Sequence, residues 1–176
     1  MRALREDDAS DLHQAAAECL SELVGRFPNE VPQLGTLQGA LEYVRDARAQ
    51  WAAGGYLEYG IFGRGGQLLG DITLECNWDA REFDASFWLR PHARGKGYAS
   101  EALVVLLVAA FGMLGARQVT LGVDPDNAPC LRLAAKLGFT PLPTLAERGF
   151  FVGTPEGARL QFGMTAEMWA QRCGWS

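Results

Sequence analysis

Two glycines and two basic residues occur together in Arg94-Gly95-Lys96-Gly97-Tyr98-Ala99. The segment follows an extended apolar run, Phe83 to Leu89, and leads into a long apolar run, Ala102 to Phe111. Because glycine has no Cβ, the backbone here can approach a ligand closely. Consecutive N–H groups entering a helix bind anions, and the helix dipole and the charges of Arg94 and Lys96 add to this attraction. The segment therefore predicts a diphosphate-binding loop between a strand and a helix.

Two other phosphate-binding motifs do not fit this segment. A P-loop requires Ser or Thr after its Gly-Lys pair, whereas Gly97 follows Lys96 and the first glycine is not spaced correctly. A dinucleotide fingerprint requires Gly-x-Gly-x-x-Gly/Ala directly after a strand, whereas Ser100 stands in the place of the third glycine and about five residues separate the strand from the glycines. A nucleotide-binding module is therefore disfavoured. The simplest alternative is a glycine-rich turn that only starts a helix.

The overall composition is that of an ordinary globular protein. The chain has 176 residues, of which 48% are hydrophobic and 21% are charged, so we expect a single domain over residues 1–176. The net charge of −5 leaves no basic surplus to neutralise phosphates, which disfavours a nucleic-acid partner. A mildly acidic surface would suit a cationic substrate.

The cysteine pattern and the apolar segments indicate a cytoplasmic protein. The four cysteines are far apart and form no CxxC pair, and only two histidines could join them, so no metal site is predicted. Reduced thiols fit a cytoplasm. The charged first eight residues do not resemble a signal peptide. The run Ala102–Phe111 is too short to span a membrane, which takes about 18 residues, and it predicts a helix buried on most sides.

Hydrophobic periodicity predicts the order of the elements. A short N-terminal strand and a helix from about Asp8 precede a second helix that begins at the N-cap Thr36 and ends at Gly54-Gly55. Four longer strands are predicted over Tyr56–Phe62, Leu68–Cys76, Glu82–Leu89 and Gln118–Val123. Later helices are predicted from the glycines to about Gly115, over Pro129–Leu137 and from Thr165, with extended segments at Phe139–Leu142, Phe150–Val152 and Arg159–Met164. Hairpins followed by alternating helices and strands predict a mixed α/β sheet.

Two sequence blocks resemble the GNAT N-acetyltransferases, and in particular the RimJ/RimL-type branch, which acetylates protein N-terminal amines or small amines. The first block is FWLRPHARGKGYASEAL, and it matches the family signature Arg/Gln-x-x-Gly-x-Gly/Ala at Arg94, Gly97 and Ala99. The second block is VDPDNAPCLRLAAKLGF. Its Asn127 matches an Asn-x-x-Ser block before a helix that ends Lys-x-Gly-Phe, and Cys130 stands where the branch usually has Ser.

The resemblance implies an α/β fold with a GNAT-like mixed, mostly antiparallel central sheet, splayed at the acyl-CoA site and flanked by helices. It also implies acetyl-CoA as the cofactor, with the diphosphate on the loop amides and the pantetheine amides paired to free backbone groups of the preceding strand. The thioester would lie near Asn127. The implied cofactor-binding residues are Trp88, Leu89, Arg90, Arg94, Gly95, Lys96, Gly97, Tyr98, Ala99, Asn127 and Cys130.

The implied reaction is acetyl transfer to a primary amine by direct attack in a ternary complex. The amine must be neutral, the oxyanion needs a hydrogen-bond donor, and the leaving thiolate benefits from a proton. An α-amine has a pKa of about 7.7–8.0 against about 10.4 for lysine, so an N-terminal amine is easier to deprotonate. By resemblance the oxyanion donor is the backbone N–H of Leu89. The acceptor is a protein N-terminus or a small molecule, and the protein is a monomer or a homodimer.

The acid and the base remain open in the sequence. Many relatives place a Tyr acid where this chain has Ala134, so Cys130 is the candidate acid, with a small buried apolar residue as the alternative. The candidate bases are Glu147, Asp84 and Glu75, each of which could instead be a solvated carboxylate. A water-relayed base, or none, is a further possibility.

Two simpler interpretations are kept. Asn127 could be a helix N-cap with no ligand contact. The whole chain could be a non-catalytic acyl-CoA-binding sensor or an inactive paralogue, because the Tyr is missing and Ser is replaced by Cys130.

Overall fold

A computed structural model describes residues 1–26, 31–143 and 159–174 of the chain. The helices are α1 (Ala9–Glu18), α2 (Leu20–Arg26), α3 (Val31–Leu34), α4 (Leu37–Ala53), α5 (Tyr98–Gly112), α6 (Ala128–Leu137) and α7 (Ala166–Cys173). The strands are β1 (Tyr56–Phe62), β2 (Leu68–Asn77), β3 (Glu82–Leu89), β4 (Gln118–Val123), β5 (Thr140–Pro141) and β6 (Leu160–Thr165). The segment Phe150–Val152, predicted to be extended, lies outside the described residues.

The strands are hydrogen-bonded in the order β1-β2-β3-β4-β6-β5. The ladders β1–β2, β4–β6 and β5–β6 are antiparallel, and β3–β4 is parallel. The β3–β4 ladder pairs Glu82–Ala85 with Gln118–Leu121, and β3 continues past it to Leu89. The predicted α/β fold with a mixed, mostly antiparallel sheet is confirmed.

The chain divides into two compact units, of which the first comprises residues 1–75 and 87–103. Its core is built by the buried faces of α1 and α4, two helices that the sequence predicted. Leu12 and Ala16 of α1 and Val44 of α4 are buried, and Trp88 packs against the same cluster. The Thr36 hydroxyl accepts a hydrogen bond from the Gly39 N–H, which caps α4 as expected.

The N-terminus of the first unit lies along β1. Arg2 and Gly60 form an isolated bridge in place of the short strand that the sequence predicted. The guanidinium of Arg2 binds both carboxylate oxygens of Asp8, at 2.6 and 2.7 Å, and lies 3.9 Å from the centre of the Phe62 ring. These contacts fix the chain ahead of α1.

The second unit comprises residues 76–86 and 104–176. In β4, which the sequence predicted with the same bounds, the side chains of Val119, Leu121 and Val123 are buried and their neighbours are partly exposed, as in a strand with one face in the core. The hydroxyl of Thr165 caps α7, and Trp169 of that helix stacks on Phe111.

The helix α5 is shorter than predicted, and one of its faces is open. It ends at Gly112, because the chain turns through Gly115 with a φ of 69°. Val105 and Val108 are 55% and 43% exposed, so one face is apolar but open, whereas Leu103, Leu106, Leu107 and Ala110 are buried, which agrees with the expectation of burial on most sides. Within the described residues, no helix combines the length and the apolar character that a membrane crossing needs.

Candidate active site

The glycine-rich segment of the first unit forms a tight loop before α5. A short 3₁₀ turn over Pro91–Ala93 ends at Arg94, and Gly95 and Gly97 have φ values of 71° and 91°. Residues with a Cβ rarely adopt these values, which explains both glycines. A Cβ added at either glycine would meet no atom within 4 Å. The loop therefore presents open backbone at the N-terminus of a 15-residue helix.

The side chain of Arg94 turns back towards β3. Its Nε donates a hydrogen bond to the carbonyl oxygen of Leu89 at 3.0 Å, and its Nη2 lies 3.8 Å from the buried Cys19 Sγ. Lys96, like Arg94 as a whole, is exposed. Arg94 thus braces the loop against the end of the strand, a role that the sequence did not indicate.

Arg90 is held by α1 and by β2. Its guanidinium donates to both carboxylate oxygens of Glu18, and its Nη1 donates to the Leu68 carbonyl at 3.3 Å. Its backbone N–H donates to the Leu69 carbonyl at 2.8 Å. The hydrogen bond from Arg90 lowers the pKa of Glu18. The structure therefore brings Arg90 together with Leu89 and Arg94, and adds Glu18, which no local pattern marks because it lies 72 positions away.

Asn127 and Cys130 meet at the start of α6 in the second unit. The side-chain oxygen of Asn127 accepts a hydrogen bond from the Cys130 N–H at 3.2 Å, which is the N-cap geometry of the simpler interpretation. The cap uses Oδ1 and leaves the Nδ2 end of the carboxamide as a separate donor group. The Cys130 thiol is half-buried, and Ala134 is fully buried one turn further along the helix.

The candidate bases lie in different settings. Asp84 on β3 is exposed and accepts a hydrogen bond from the hydroxyl of Thr120 on β4. Glu75 is exposed near the end of β2. Glu147 lies outside the described residues. Among the residues that the structure describes, no three His, Cys, Asp or Glu side chains are grouped so that they could hold a metal ion.

A buried carboxyl pair in the first unit was missed by the sequence analysis. Glu58 and Asp71 are 7% and 4% exposed and lie on the paired strands β1 and β2. Burial, and then the negative charge of Glu58, raise the pKa of Asp71 well above its usual range. A cavity of about 730 Å³ reaches Glu58 between the N-terminal segment and the end of α4, where it also contacts Arg2 and Trp51. The sequence signal that could have revealed this pair is an acidic residue inside each of the two predicted hairpin strands.

Comparison with known proteins identifies a family for this chain. A sequence model of the acetyltransferase (GNAT) domain family matches residues 1–140. A search of the curated proteins gives no significant match.

Solved structures with a similar fold include three acetyltransferases. RimJ from Mycobacterium smegmatis, in complex with CoA-disulfide, has a TM-score of 0.78 and 19% identity, covering 98% of this chain and 88% of that one. RimL, a ribosomal L7/L12 α-N-protein acetyltransferase in complex with coenzyme A, has a TM-score of 0.80 and 16% identity, with 95% and 93% covered. A spermidine N-acetyltransferase from Vibrio cholerae has a TM-score of 0.71 and 18% identity, with 97% and 95% covered.

Proposed function

The chain belongs to the GNAT acetyltransferase family, and we therefore propose that it is an N-acetyltransferase that moves an acetyl group from acetyl-CoA to a primary amine. Acetyl-CoA is the cofactor of this family and supplies an activated thioester. The observation that carries the proposal is the open glycine loop at the start of α5, which stands where the family signature Arg-x-x-Gly-x-Ala occurs. The acceptor is an amine-bearing molecule, either a protein N-terminus or a small amine.

The loop has the features that a diphosphate needs. Gly95 and Gly97 leave space where side chains would otherwise stand. The first N–H groups of α5 have no carbonyl partner within their own helix, so they are available to phosphate oxygens. The exposed ammonium of Lys96 adds a positive charge near them. Arg94 contributes indirectly, by holding the loop against Leu89.

The Leu89 N–H is the proposed oxyanion donor. Backbone donors that are fixed before the reaction stabilise developing negative charge with little reorganisation. Leu89 suits this role because its carbonyl is held by Arg94 and the next N–H, that of Arg90, is held by Leu69. Trp88 and Arg90, on either side of it, are the remaining residues proposed to lie along the pantetheine arm.

Cys130 is proposed as the acid that protonates the departing sulfur, and Asn127 as a cofactor contact beside it. A thiol has a reference pKa of about 8.5, which allows it to give a proton to a thiolate near neutral pH. The proposed base is Asp84 or Glu147. The hydrogen bond from Thr120 would orient the Asp84 carboxylate.

The deciding experiment combines acetyl-CoA with a panel of amines: peptides with free N-termini, polyamines and amino acids. Free thiol release and the acetylated product, identified by mass spectrometry, are both measured. Amine-dependent thiol release with a matching product is the expected result. Binding of acetyl-CoA without turnover across the panel would instead support the second candidate, an acyl-CoA-binding sensor. The buried Ala134 at the position of the usual Tyr is the observation that favours that alternative.

A further inference from the structure

Gly70 of β2 lies so close to the end of β3 that no larger residue fits there. A Cβ built on Gly70 would stand 2.1 Å from the Trp88 carbonyl oxygen and 2.9 Å from the Leu89 Cα. Both are backbone atoms, and real Cβ atoms essentially never come within 3.0 Å of another heavy atom. The glycine is therefore required by the close approach of the two strands.

This approach fixes the direction of the Leu89 N–H. In a trans peptide, the C=O of one residue and the N–H of the next point in opposite directions. Because the Trp88 oxygen lies against Gly70, the Leu89 N–H points away from β2. The next peptide agrees: the Arg90 N–H donates to Leu69 on β2, so the Leu89 carbonyl points away as well, where Arg94 Nε donates to it.

Two consecutive peptide groups at the end of β3 are thus fixed. The Trp88–Leu89 peptide is fixed by its contact with Gly70, and the Leu89–Arg90 peptide by its hydrogen bonds to Leu69 and from Arg94. We propose that Gly70 and Arg94 are positioning residues that set the orientation of the Leu89 N–H for acetyl transfer. The inference rests on the proposed function, in which that N–H is the oxyanion donor. Gly70 reaches no cofactor in this role and acts only through the Trp88–Leu89 peptide.

The contacts around Gly70 determine which part of the backbone an added methyl group at this position would displace. Arg90 cannot yield easily, because its side chain is bound by Glu18 and Leu68 and its N–H by Leu69. The displacement must then fall on the Trp88–Leu89 peptide, which would rotate and turn the N–H aside. An oxyanion donor works only within about 2.7–3.1 Å of the oxyanion, and loss of one donor slows chemistry by about 10²–10³-fold.

The test compares Gly70→Ala with Gly60→Ala. Gly60 is a matched control, because it lies on the neighbouring strand β1 of the same unit and its added Cβ would also clash, but with the side chains of Phe62 and Leu4 at 2.6 and 2.8 Å. We expect Gly70→Ala to slow single-turnover acetyl transfer at least tenfold, while the Kd for coenzyme A stays within about threefold. Gly60→Ala should lose stability and keep its rate.

A readout without catalysis separates this inference from the proposed function. In ¹⁵N-labelled wild-type protein, the Leu89 amide resonance should shift when acetyl-CoA binds, and the shift should shrink in Gly70→Ala and persist in Gly60→Ala. If wild type shows no turnover but this pattern holds, the acetyl-transfer function fails, while the finding that Gly70 orients the Leu89 N–H towards the bound cofactor stands. An active wild type with an unchanged rate in Gly70→Ala would overturn the positioning role. Should Gly70→Ala not fold, Arg94→Met must slow single-turnover transfer at saturating acetyl-CoA and shrink the Leu89 amide shift, because it removes the donor to the Leu89 carbonyl; an unchanged rate and shift would overturn the positioning role.

Discussion

Asp71 on β2 and Glu58 on β1 place their carboxyl groups side by side beneath the N-terminal helices of the first unit. The strand register sets Gly60 opposite Asp71 and Thr73 opposite Glu58, so both acids point to the same face of the sheet. The Thr73 hydroxyl donates to Asp71 at 3.2 Å. Two buried carboxylates cannot both ionise cheaply, and burial together with Glu58 raises the pKa of Asp71 well above its usual range.

Replacing Asp71 by Asn should therefore stabilise the protein most at high pH. With a raised pKa the folded state keeps a proton that the unfolded state releases, so this contribution is present at low pH and is lost as pH rises through the folded-state pKa. Asn resembles the protonated acid at every pH. Urea unfolding of both proteins at about pH 5 and about pH 8.5 measures the difference. A difference in unfolding free energy that does not grow with pH would contradict the assignment.

Gly97→Asp should weaken acetyl-CoA binding at least tenfold, or about 1.4 kcal/mol. The substitution places a carboxylate in the open space of the loop, against the diphosphate. Calorimetric titration with coenzyme A measures the affinity, and thermal unfolding checks that the fold is intact.

Gly66→Asp provides a matched control for that substitution. Gly66 lies in the β1–β2 turn with a φ of 86°, against 91° for Gly97, and a Cβ there would likewise meet no atom within 4 Å. The two variants carry similar backbone strain, so only a ligand at the loop can separate their affinities. Equal affinity in both folded variants would remove the diphosphate assignment.

Local patterns predicted those features that depend on neighbouring residues. The glycines of the loop, the Thr36 and Asn127 caps and the alternation along β4 each follow from backbone geometry over a few positions. The contacts that hold the end of β3 could not be predicted in this way, because they join distant segments of the chain. Arg90 binds Glu18, and Trp88 lies against Gly70. The Glu58–Asp71 pair was likewise invisible until the register of β1 and β2 was known.

Asn127 variants separate helix capping from cofactor contact. Asn127→Ala should lower stability by about 0.5–2 kcal/mol, since the Cys130 N–H loses its acceptor. It should also raise the KM for acetyl-CoA more than Asn127→Asp or Asn127→Ser does. The last two keep an acceptor for the cap but lack the carboxamide NH₂.

The comparison depends on measuring melting temperature and KM for all three Asn127 variants. A raised KM in Asn127→Asp at unchanged melting temperature assigns the carboxamide to the cofactor. If melting falls in Asn127→Ala while every KM stays constant, Asn127 is only a cap.

Cys130 variants test for a side-chain acid. If the thiol protonates the leaving sulfur, Cys130→Ser should keep activity, because a hydroxyl is the stronger hydrogen-bond donor and Ser is the family's usual residue. Cys130→Ala loses the donor and should slow the chemical step by at least about 10²-fold, since a positioned acid contributes typically 10²–10⁴-fold. Affinity for acetyl-CoA should change little, which places the loss in the chemical step.

The apolar interpretation of Cys130 makes the opposite prediction. The side chain is half-buried one turn before the fully buried Ala134, so a small apolar residue would also suit the site. In that case Cys130→Ala turns over normally, and Cys130→Ser is the slower or less stable variant because its hydroxyl must be partly desolvated. Pre-steady-state rates of the two variants, with acetyl-CoA affinity measured alongside, decide between the interpretations. A near wild-type rate in Cys130→Ala would leave the departing sulfur without an identified side-chain acid, because Ala134 offers no proton in place of the usual Tyr.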